Sequence, residues 1–234
     1  MLGIYEYFNT NNCKLMIKNI IFDFDGVIAD SEILVARAFS KYLESYNINF
    51  SEKDFSIYAG KKTFQVIDEL SAKFNIQDPK KFFDDIMDIA NNIYSKDLKP
   101  VKGVRNFLEN NNKEIFIGSN SMKKRILLGL QKIQLDNFFT YDRIFSFDLV
   151  KKPKPYPDIY LKVVNTHNLE KNETIIIEDS AVGIQSGVAA GIKVLGLTAG
   201  EHWHTNRSNQ ELIDAKVFSI VENYDDLKKV INSI

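Results

Sequence analysis

Polar side chains follow three short apolar runs of the sequence, at the point where each run ends. The runs are residues 20–22, 115–117 and 175–177, and the segments that follow them are Asp23-Phe24-Asp25-Gly26, Gly118-Ser119-Asn120 and Glu178-Asp179-Ser180. Short apolar runs without polar alternation are typical of strands buried on both faces of a parallel sheet. Ligands bind beyond the carboxyl ends of such strands. We therefore expect the three polar segments to share one crevice.

The predicted crevice holds the four carboxylates of Asp23, Asp25, Glu178 and Asp179. Carboxylates at close range repel one another and raise one another's pKa. A hard divalent cation relieves this repulsion, and an all-oxygen ligand set completed by water suits Mg²⁺. Acidic residues after strands can also serve only as helix N-caps, an alternative that applies best to Asp179 taken alone. Four carboxylates together favour a metal site.

The first acidic segment places two carboxylates two residues apart. In extended chain, residues i and i+2 point to the same side, so Asp23 and Asp25 can face one substrate. Gly26 permits a backbone turn that a Cβ atom would hinder. One carboxylate can then act as a nucleophile while its neighbour donates or accepts a proton.

The elements that must position these side chains form an α/β pattern. Further apolar runs lie at residues 144–145 and 194–195, and helical periodicity occupies 121–132, 157–168 and 181–190. This alternation predicts βαβ units and a Rossmann-like, doubly wound parallel sheet.

The interval between the first two polar segments differs from the rest. Residues 32–98 show helical periodicity and no run of strand type, with a turn predicted at Gly60-Lys61-Lys62 and a helix start at Pro79. We predict a catalytic core formed by residues 1–31 plus 99–234 and a helical cap domain formed by residues 32–98. Residues 1–16 lack a clear period, so they are either a loose extension of the core or precede a true start at Met16.

Four motifs of the sequence resemble, in order and spacing, those of the haloacid dehalogenase superfamily of phosphohydrolases. They are Asp23-Phe24-Asp25-Gly26-Val27-Ile28-Ala29-Asp30-Ser31-Glu32, Ser119-Asn120, Lys154-Pro155-Tyr156-Pro157-Asp158 and Glu178-Asp179-Ser180-Ala181-Val182-Gly183-Ile184. The resemblance extends from about residue 17 to the end of the chain and points to subfamily I, whose members carry a helical cap between the first two motifs. It implies Mg²⁺ as cofactor and an aspartyl-phosphate intermediate.

The resemblance also implies a role for each matching residue. Asp23 would be the nucleophile and a Mg²⁺ ligand, and Asp25 the general acid/base that offers its backbone carbonyl to Mg²⁺. Lys154 would hold Asp23 and the phosphoryl group. The remaining residues are Ser119 and Asn120 for the phosphoryl oxygens, Asp179 as a direct Mg²⁺ ligand, and Glu178 as a direct or water-mediated one.

The lysine motif has two possible registers. Lys152 also precedes a proline, and we favour Lys154 because residues 156–160 continue the pattern into a helix.

Two departures from the pattern of β-phosphoglucomutase relatives bear on the reaction. β-Phosphoglucomutase relatives carry a histidine where this chain has Leu34-Val35, and an arginine in the cap loop where it has Gly60-Lys61-Lys62-Thr63. Both differences favour hydrolysis over mutase chemistry, and the presence of Asp25 argues against cleavage of a carbon–halogen bond.

Several weaker signals have two interpretations each. Lys61 and Lys62 either belong to an exposed loop or bind substrate when the cap closes. Lys123 and Lys124 fit a solvated helix face better than an anion site. His202 and His204 lack a third zinc ligand nearby, so we expect a loop at the rim of the active site.

Composition narrows the class of protein. The chain has 234 residues, with 30 basic and 31 acidic side chains and a formal net charge of −1, which argues against a nucleic-acid partner. The single cysteine, Cys13, gives no disulfide framework. No apolar run approaches the ~18 residues of a membrane span, and no signal peptide is evident. We expect a cytoplasmic phosphatase, a monomer or weak dimer, acting on a small phosphorylated metabolite. A phosphomutase and a non-catalytic relative that binds a metabolite or a partner are the alternatives.

Overall fold

Six parallel strands form one sheet in a computed structural model that describes residues 16–58, 63–203 and 207–234. The strands are β1 (Asn19–Phe22), β2 (Glu114–Ser119), β3 (Ile144–Ser146), β4 (Thr174–Glu178), β5 (Lys193–Leu197) and β6 (Ser219–Val221). Their order across the sheet is β3-β2-β1-β4-β5-β6. The sheet confirms the predicted α/β fold. The edge strand β6 was not predicted, because it has only three residues and two of them are partly exposed.

The strand that precedes Asp23 lies in the middle of the sheet. Ile21 of β1 pairs with Phe116 of β2 on one side and with Ile176 of β4 on the other. All four residues of β1 are buried. Because both neighbours run parallel to β1, the polar segments after all three strands emerge at the same edge.

Helices cover both faces of the sheet, and alternate residues of each strand pack against opposite layers. The helices are α1 (Glu32–Glu44), α2 (Glu52–Phe55), α3 (Thr63–Phe74), α4 (Pro79–Asp97), α5 (Val104–Glu109), α6 (Lys123–Lys132), α7 (Asp158–His167), α8 (Ala181–Ala189), α9 (Gln210–Asp214) and α10 (Tyr224–Ser233). Ile20 and Phe22 face the layer of α5, α6 and α10, whereas Ile21 faces α7, α8 and α9. None of the helices described here has the length and apolar character needed to cross a membrane.

All the regular elements among the described residues of the interval 32–98 are helices, and the interval has an apolar cluster of its own. Phe39 and Tyr42 of α1 pack against Phe82 of α4, and the rings of Tyr42 and Phe82 stack with centroids 4.2 Å apart. Helix α4 begins at Pro79, as predicted, and the Asp78 carboxylate accepts a hydrogen bond of 2.9 Å from the Lys81 amide. The predicted turn at Gly60-Lys61-Lys62 lies outside the described residues.

The two segments of chain that connect the helical interval to the sheet lie side by side. The Asp30 amide donates to the Lys99 carbonyl at 2.9 Å, and the Val101 amide donates to the Ile28 carbonyl at 2.9 Å. Both segments therefore leave the core beside the strand end that carries Asp23 and Asp25.

Candidate active site

A cavity of about 610 Å³ opens at the carboxyl edge of the sheet. Its walls include residues from all four motifs, namely Asp23, Asp25, Ser119, Asn120, Lys154 and Asp179. Ile33, Ala36 and Phe55 line it from the helical interval. The structure thus brings six of the predicted core residues into one crevice, whereas Glu178 is fully buried and does not line the cavity. Side chains of the predicted cap line the same cavity.

Lys154 joins two of the buried carboxylates. Its Nζ atom lies 2.7 Å from Asp23 Oδ1 and 2.6 Å from Glu178 Oε1. Burial disfavours the ammonium charge, but the two carboxylates outweigh that effect and raise the pKa of Lys154. Lys152 is exposed, with its Nζ 4.7 Å from the centre of the Tyr156 ring. Of the two lysine registers, the structure places Lys154 in the cavity.

Glu178 is fully buried, and both of its carboxylate oxygens are occupied by donors. Oε1 accepts from Lys154 and from the Tyr160 hydroxyl at 2.8 Å. Oε2 accepts from the Asp179 amide at 3.1 Å, and from the Ser180 amide and hydroxyl at 3.2 and 3.0 Å. A Cβ atom at Gly183 would lie 1.7 Å from Oε1, so only glycine fits beside this carboxylate. Glu178 therefore holds Lys154 and the start of α8 in place.

Two hydroxyl groups hold the Asp25 carboxylate. Ser31 Oγ donates to Oδ1 at 2.6 Å, and Ser121 Oγ donates to Oδ2 at 2.5 Å. The Arg125 guanidinium lies 3.5 Å from Oδ1, and its Cζ atom lies 4.1 Å from the centre of the Tyr94 ring. The side chain of Asp25 is thereby fixed at the cavity wall next to Asp23.

The segment after β2 is folded onto the lysine loop. The Asn120 side chain accepts from the Lys154 amide at 2.9 Å and donates to the Lys154 carbonyl at 3.3 Å. Ser119 Oγ accepts from the Ser121 amide at 3.0 Å and retains a hydroxyl proton to donate. Asn120 thus positions Lys154, and its contact with a phosphoryl group remains a prediction.

Three of the four predicted carboxylates form a group that could hold a metal ion. Among the described residues, one oxygen each from Asp23, Glu178 and Asp179 lies within 4.8 Å of the others. Burial raises the pKa of Asp23 and of Asp179, with further increases from Glu178, whereas Lys154 lowers both. An all-oxygen set with excess negative charge fits a hard divalent cation. The Asp25 carboxylate lies outside this group, in contrast to the expected cluster of four.

Gly26 allows the two acidic segments to meet. Its φ of +76° lies in the left-handed region, and a Cβ atom there would lie 1.9 Å from Asp179 Oδ2. The predicted need for glycine at this turn therefore has a second cause, since the carboxylate of the fourth motif occupies the space that a side chain would need.

The loop after β5 contributes a histidine at this edge. His202 Nε2 lies 3.0 Å from Asp179 Oδ2, and burial lowers the pKa of His202 to about 4, so the ring is neutral at neutral pH. The side chain of Arg207 lines the cavity as well, over the ring of Trp203 at 3.8 Å. His204 lies outside the described residues, and among those described no group of three metal ligands includes His202.

The predicted lysines outside the core motifs divide into two cases. Lys61 and Lys62 lie outside the described residues, so their contact with substrate stays a prediction. Lys123 begins α6, and its Nζ lies 3.5 Å from the centre of the Tyr141 ring, while Lys124 is exposed; neither lines the cavity.

Comparison with known proteins assigns this arrangement of motifs to a family. A sequence model of haloacid dehalogenase-like hydrolases matches residues 20–197, which include every motif described above. The chain belongs to this family. Membership confirms the resemblance, the fold and the prediction of a hydrolase.

Two relatives of the chain are named as phosphatases. The chain is 24% identical over 204 residues to a 6-phosphogluconate phosphatase from Escherichia coli, covering 86% of this chain and 89% of the relative. It is 26% identical over 208 residues to a phosphorylated carbohydrates phosphatase from Thermotoga maritima, covering 87% and 93%. These names support the predicted class of phosphoric monoester hydrolases.

A solved structure agrees with the fold over most of the chain. A haloacid dehalogenase-like protein of unknown function from Agrobacterium tumefaciens superposes with a TM-score of 0.84 at 29% identity, covering 93% of this chain and 98% of that one. The match includes the helical interval as well as the sheet.

Reasoning from sequence assigned no role to Ser31, Ser121 or Tyr160, and it placed His202 only in a loop at the rim of the active site. Ser31, Ser121 and Tyr160 hold the predicted acidic residues, and His202 contacts Asp179. A usable signal existed for two of them, because Ser121 and His202 both follow predicted strands by a few residues. No signal in the sequence pointed to Tyr160, because it occupies an ordinary apolar position of α7.

Proposed function

We propose that this protein is a Mg²⁺-dependent phosphatase that hydrolyses a small phosphorylated metabolite through an aspartyl-phosphate intermediate. The observation that carries the proposal is the position of Asp23. This buried carboxylate lies 2.7 Å from Lys154 Nζ and close to the carboxylates of Glu178 and Asp179. A carboxylate attacks an anionic phosphate only where nearby positive charge offsets the repulsion. Lys154 supplies one such charge.

The first half-reaction is the transfer of the phosphoryl group to Asp23. One Asp23 oxygen forms a bond to phosphorus as the bond to the leaving oxygen breaks, and Asp25 donates its proton to that oxygen. Ser31 and Ser121 hold Asp25 so that it stands next to the nucleophile. Ser119 and Lys154 donate hydrogen bonds to the phosphoryl oxygens.

The second half-reaction returns the enzyme to its starting state. Asp25, now ionised, takes a proton from a water molecule whose oxygen bonds to phosphorus. The bond between phosphorus and the Asp23 oxygen breaks, which releases inorganic phosphate and restores the Asp23 carboxylate. Asp25 ends this step protonated, so the next turnover can begin.

The residues at the strand ends suit a magnesium ion. Asp23 and Asp179 would supply carboxylate oxygens, Asp25 its backbone carbonyl, and Glu178 a contact through water, since both Glu178 oxygens already accept hydrogen bonds. When bound, Mg²⁺ offsets the charge of the phosphoryl group and of the attacking carboxylate.

We propose that residues 32–98 act as a cap over this site, with residues 1–31 and 99–234 as the core. The paired linkers at residues 28–30 and 99–101 are close enough to serve as one hinge. Closure would exclude water and complete the substrate pocket, in which Lys61 or Lys62 would meet the leaving group.

The names of two relatives, a 6-phosphogluconate phosphatase and a phosphorylated carbohydrates phosphatase, support a small phosphorylated carbohydrate as the substrate. We propose a sugar phosphate, a sugar-acid phosphate or phosphoglycolate as the substrate. The test is phosphate release across a panel of these compounds, inorganic pyrophosphate and p-nitrophenyl phosphate, each with Mg²⁺ and with a chelator, compared as kcat/KM. Full activity after exhaustive chelation would exclude the metal-dependent mechanism.

Two other functions remain as alternatives to hydrolysis. A phosphomutase would isomerise β-glucose 1-phosphate and would require glucose 1,6-bisphosphate, whereas a phosphatase would release phosphate without it. A non-catalytic relative would bind a metabolite or a protein and release no phosphate from any compound of the panel. The buried Asp23–Lys154 pair supports an enzyme over this last alternative.

A further inference from the structure

One polar contact at the edge of the cavity has no place in the mechanism above. His202 Nε2 lies 3.0 Å from Asp179 Oδ2, and the side chains of the two residues are only 10% and 5% exposed. His202 belongs to the loop after β5, outside the four motifs. Among the described residues, no other side chain has a hydrogen bond or ion pair with the Asp179 carboxylate.

The ring of His202 is held by close packing on two sides. A Cβ atom at Gly26 would lie 3.1 Å from His202 Cε1, and one at Gly200 would lie 2.7 Å from His202 Nδ1. Side chains at either glycine would displace the ring. The imidazole therefore occupies a slot between two stretches of backbone, with Nε2 3.0 Å from Asp179 Oδ2.

The loop that carries His202 is fixed to the catalytic edge. The Glu201 amide donates to both oxygens of Asp30, at 3.1 and 3.2 Å, and the Trp203 amide donates to the Gly200 carbonyl at 2.9 Å. Arg37 of α1 lies 3.2 Å from the Glu201 carboxylate. These contacts connect the histidine to the first motif and to the helical interval.

We propose that His202 is a positioning residue that holds the Asp179 carboxylate in the orientation needed to bind Mg²⁺. With the proton on Nε2, the imidazole would donate to Oδ2 and leave Oδ1 for the metal ion. Partners of this kind orient a ligand before the metal arrives, and their loss typically lowers metal affinity about 10- to 100-fold. The inference rests on the proposed function only in taking Asp179 as a Mg²⁺ ligand.

The test compares Mg²⁺ binding to metal-free wild type, His202→Leu and His202→Gln by titration calorimetry. Leucine fills the slot without a donor, whereas the glutamine amide can restore one. We expect His202→Leu to raise the Mg²⁺ dissociation constant about 10-fold or more, and His202→Gln to recover most of the loss. His167→Leu, made at a histidine of α7 that does not line the cavity, serves as the matched control and should bind Mg²⁺ as wild type does.

Phosphate release measured against Mg²⁺ concentration separates the two proposals. The positioning role of His202 is supported if His202→Leu raises the half-saturating Mg²⁺ concentration in parallel with the Mg²⁺ dissociation constant. The kcat at saturating Mg²⁺ should change far less. Unchanged Mg²⁺ affinity in His202→Leu, or equal loss in the leucine and glutamine variants, would overturn the positioning role. If wild type binds Mg²⁺ with the expected His202 dependence but releases no phosphate, the inference stands and the proposed phosphatase function fails.

Discussion

Lys154 Nζ lies 2.7 Å from Asp23 Oδ1, although 131 positions separate the two residues in the sequence. The side chain of Lys154 is 3% exposed, and its second partner, Glu178, has no exposure at all. One ammonium group thus serves two buried carboxylates. From this arrangement we expect Lys154 to contribute both to catalysis and to the stability of the fold.

Replacing Lys154 with methionine should reduce both kcat and the free energy of unfolding. The substitution leaves Asp23 and Glu178 buried without a cation, and breaking a buried ion pair costs about 3–5 kcal/mol. We expect a lower free energy of unfolding in urea and a loss of kcat of about 100-fold or more, because a donor to the phosphoryl oxygens is lost as well. Lys152→Met on the same loop is the control. Equal stability of the two variants would contradict the role assigned to Lys154.

Replacing Asp179 with asparagine should make thermal stability independent of Mg²⁺. Burial and Glu178 raise the pKa of Asp179, so without metal its ionised form destabilises the fold above the pKa of the unfolded chain. The neutral amide removes that penalty, and the melting temperature of the metal-free variant should rise by about 2–4 °C per kcal/mol relieved.

Mg²⁺ should then stabilise wild type but not Asp179→Asn. At 100 times its dissociation constant a ligand adds about 2.7 kcal/mol, which calorimetric scans with and without Mg²⁺ can detect. Asp68→Asn, on the exposed surface of α3, should retain the wild-type response. An undiminished Mg²⁺ shift in Asp179→Asn would remove Asp179 from the metal site.

Replacing Ser121 with alanine should slow catalysis without unfolding the protein. The hydroxyl donates to Asp25 Oδ2 at 2.5 Å, and proton transfer by a well-positioned side chain contributes about 10²–10⁴-fold to a reaction rate. We expect kcat to fall about 10-fold or more while the melting temperature changes little. Ser95→Ala, an exposed serine of α4, provides the comparison. A wild-type kcat in Ser121→Ala would show that Ser31 alone suffices to hold Asp25.

Replacing Lys61 or Lys62 with alanine tests the cap's part in substrate selection. If either lysine contacts the leaving group, kcat/KM for the best metabolite should fall about 10-fold or more, the scale of one lost charged hydrogen bond. p-Nitrophenyl phosphate offers the cap neither an anionic nor a hydroxyl group, so its hydrolysis should change little. An equal decrease on both substrates, or none on either, would assign these lysines to a solvated loop.

The sheet, and the edge at which the polar segments follow its strands, could be predicted from the sequence because both depend on local pattern. Apolar runs identified five of the six strands, and parallel order alone was enough to bring Asp23, Ser119 and Glu178 together. The short, half-exposed β6 carries no such pattern.

Contacts between distant segments could not be read from periodicity. The orientation of Asp25 towards Ser31 and Ser121 depends on how two loops meet, and so does the contact of His202 with Asp179. Gly26 shows the same limit. The sequence predicted that a glycine is needed there for the backbone turn. No local pattern indicated that a carboxylate 153 positions away fills the space beside Gly26.

The initial rate of phosphate release by Asp23→Asn, relative to wild type with saturating Mg²⁺ and the best substrate of the panel, tests the central claim most directly. Asparagine keeps the size of the side chain but removes the attacking oxygen anion. The account predicts a loss of kcat of at least about 10³-fold, in a protein that remains folded because one buried negative charge has been removed. Hydrolysis by Asp23→Asn at close to the wild-type rate would contradict the mechanism.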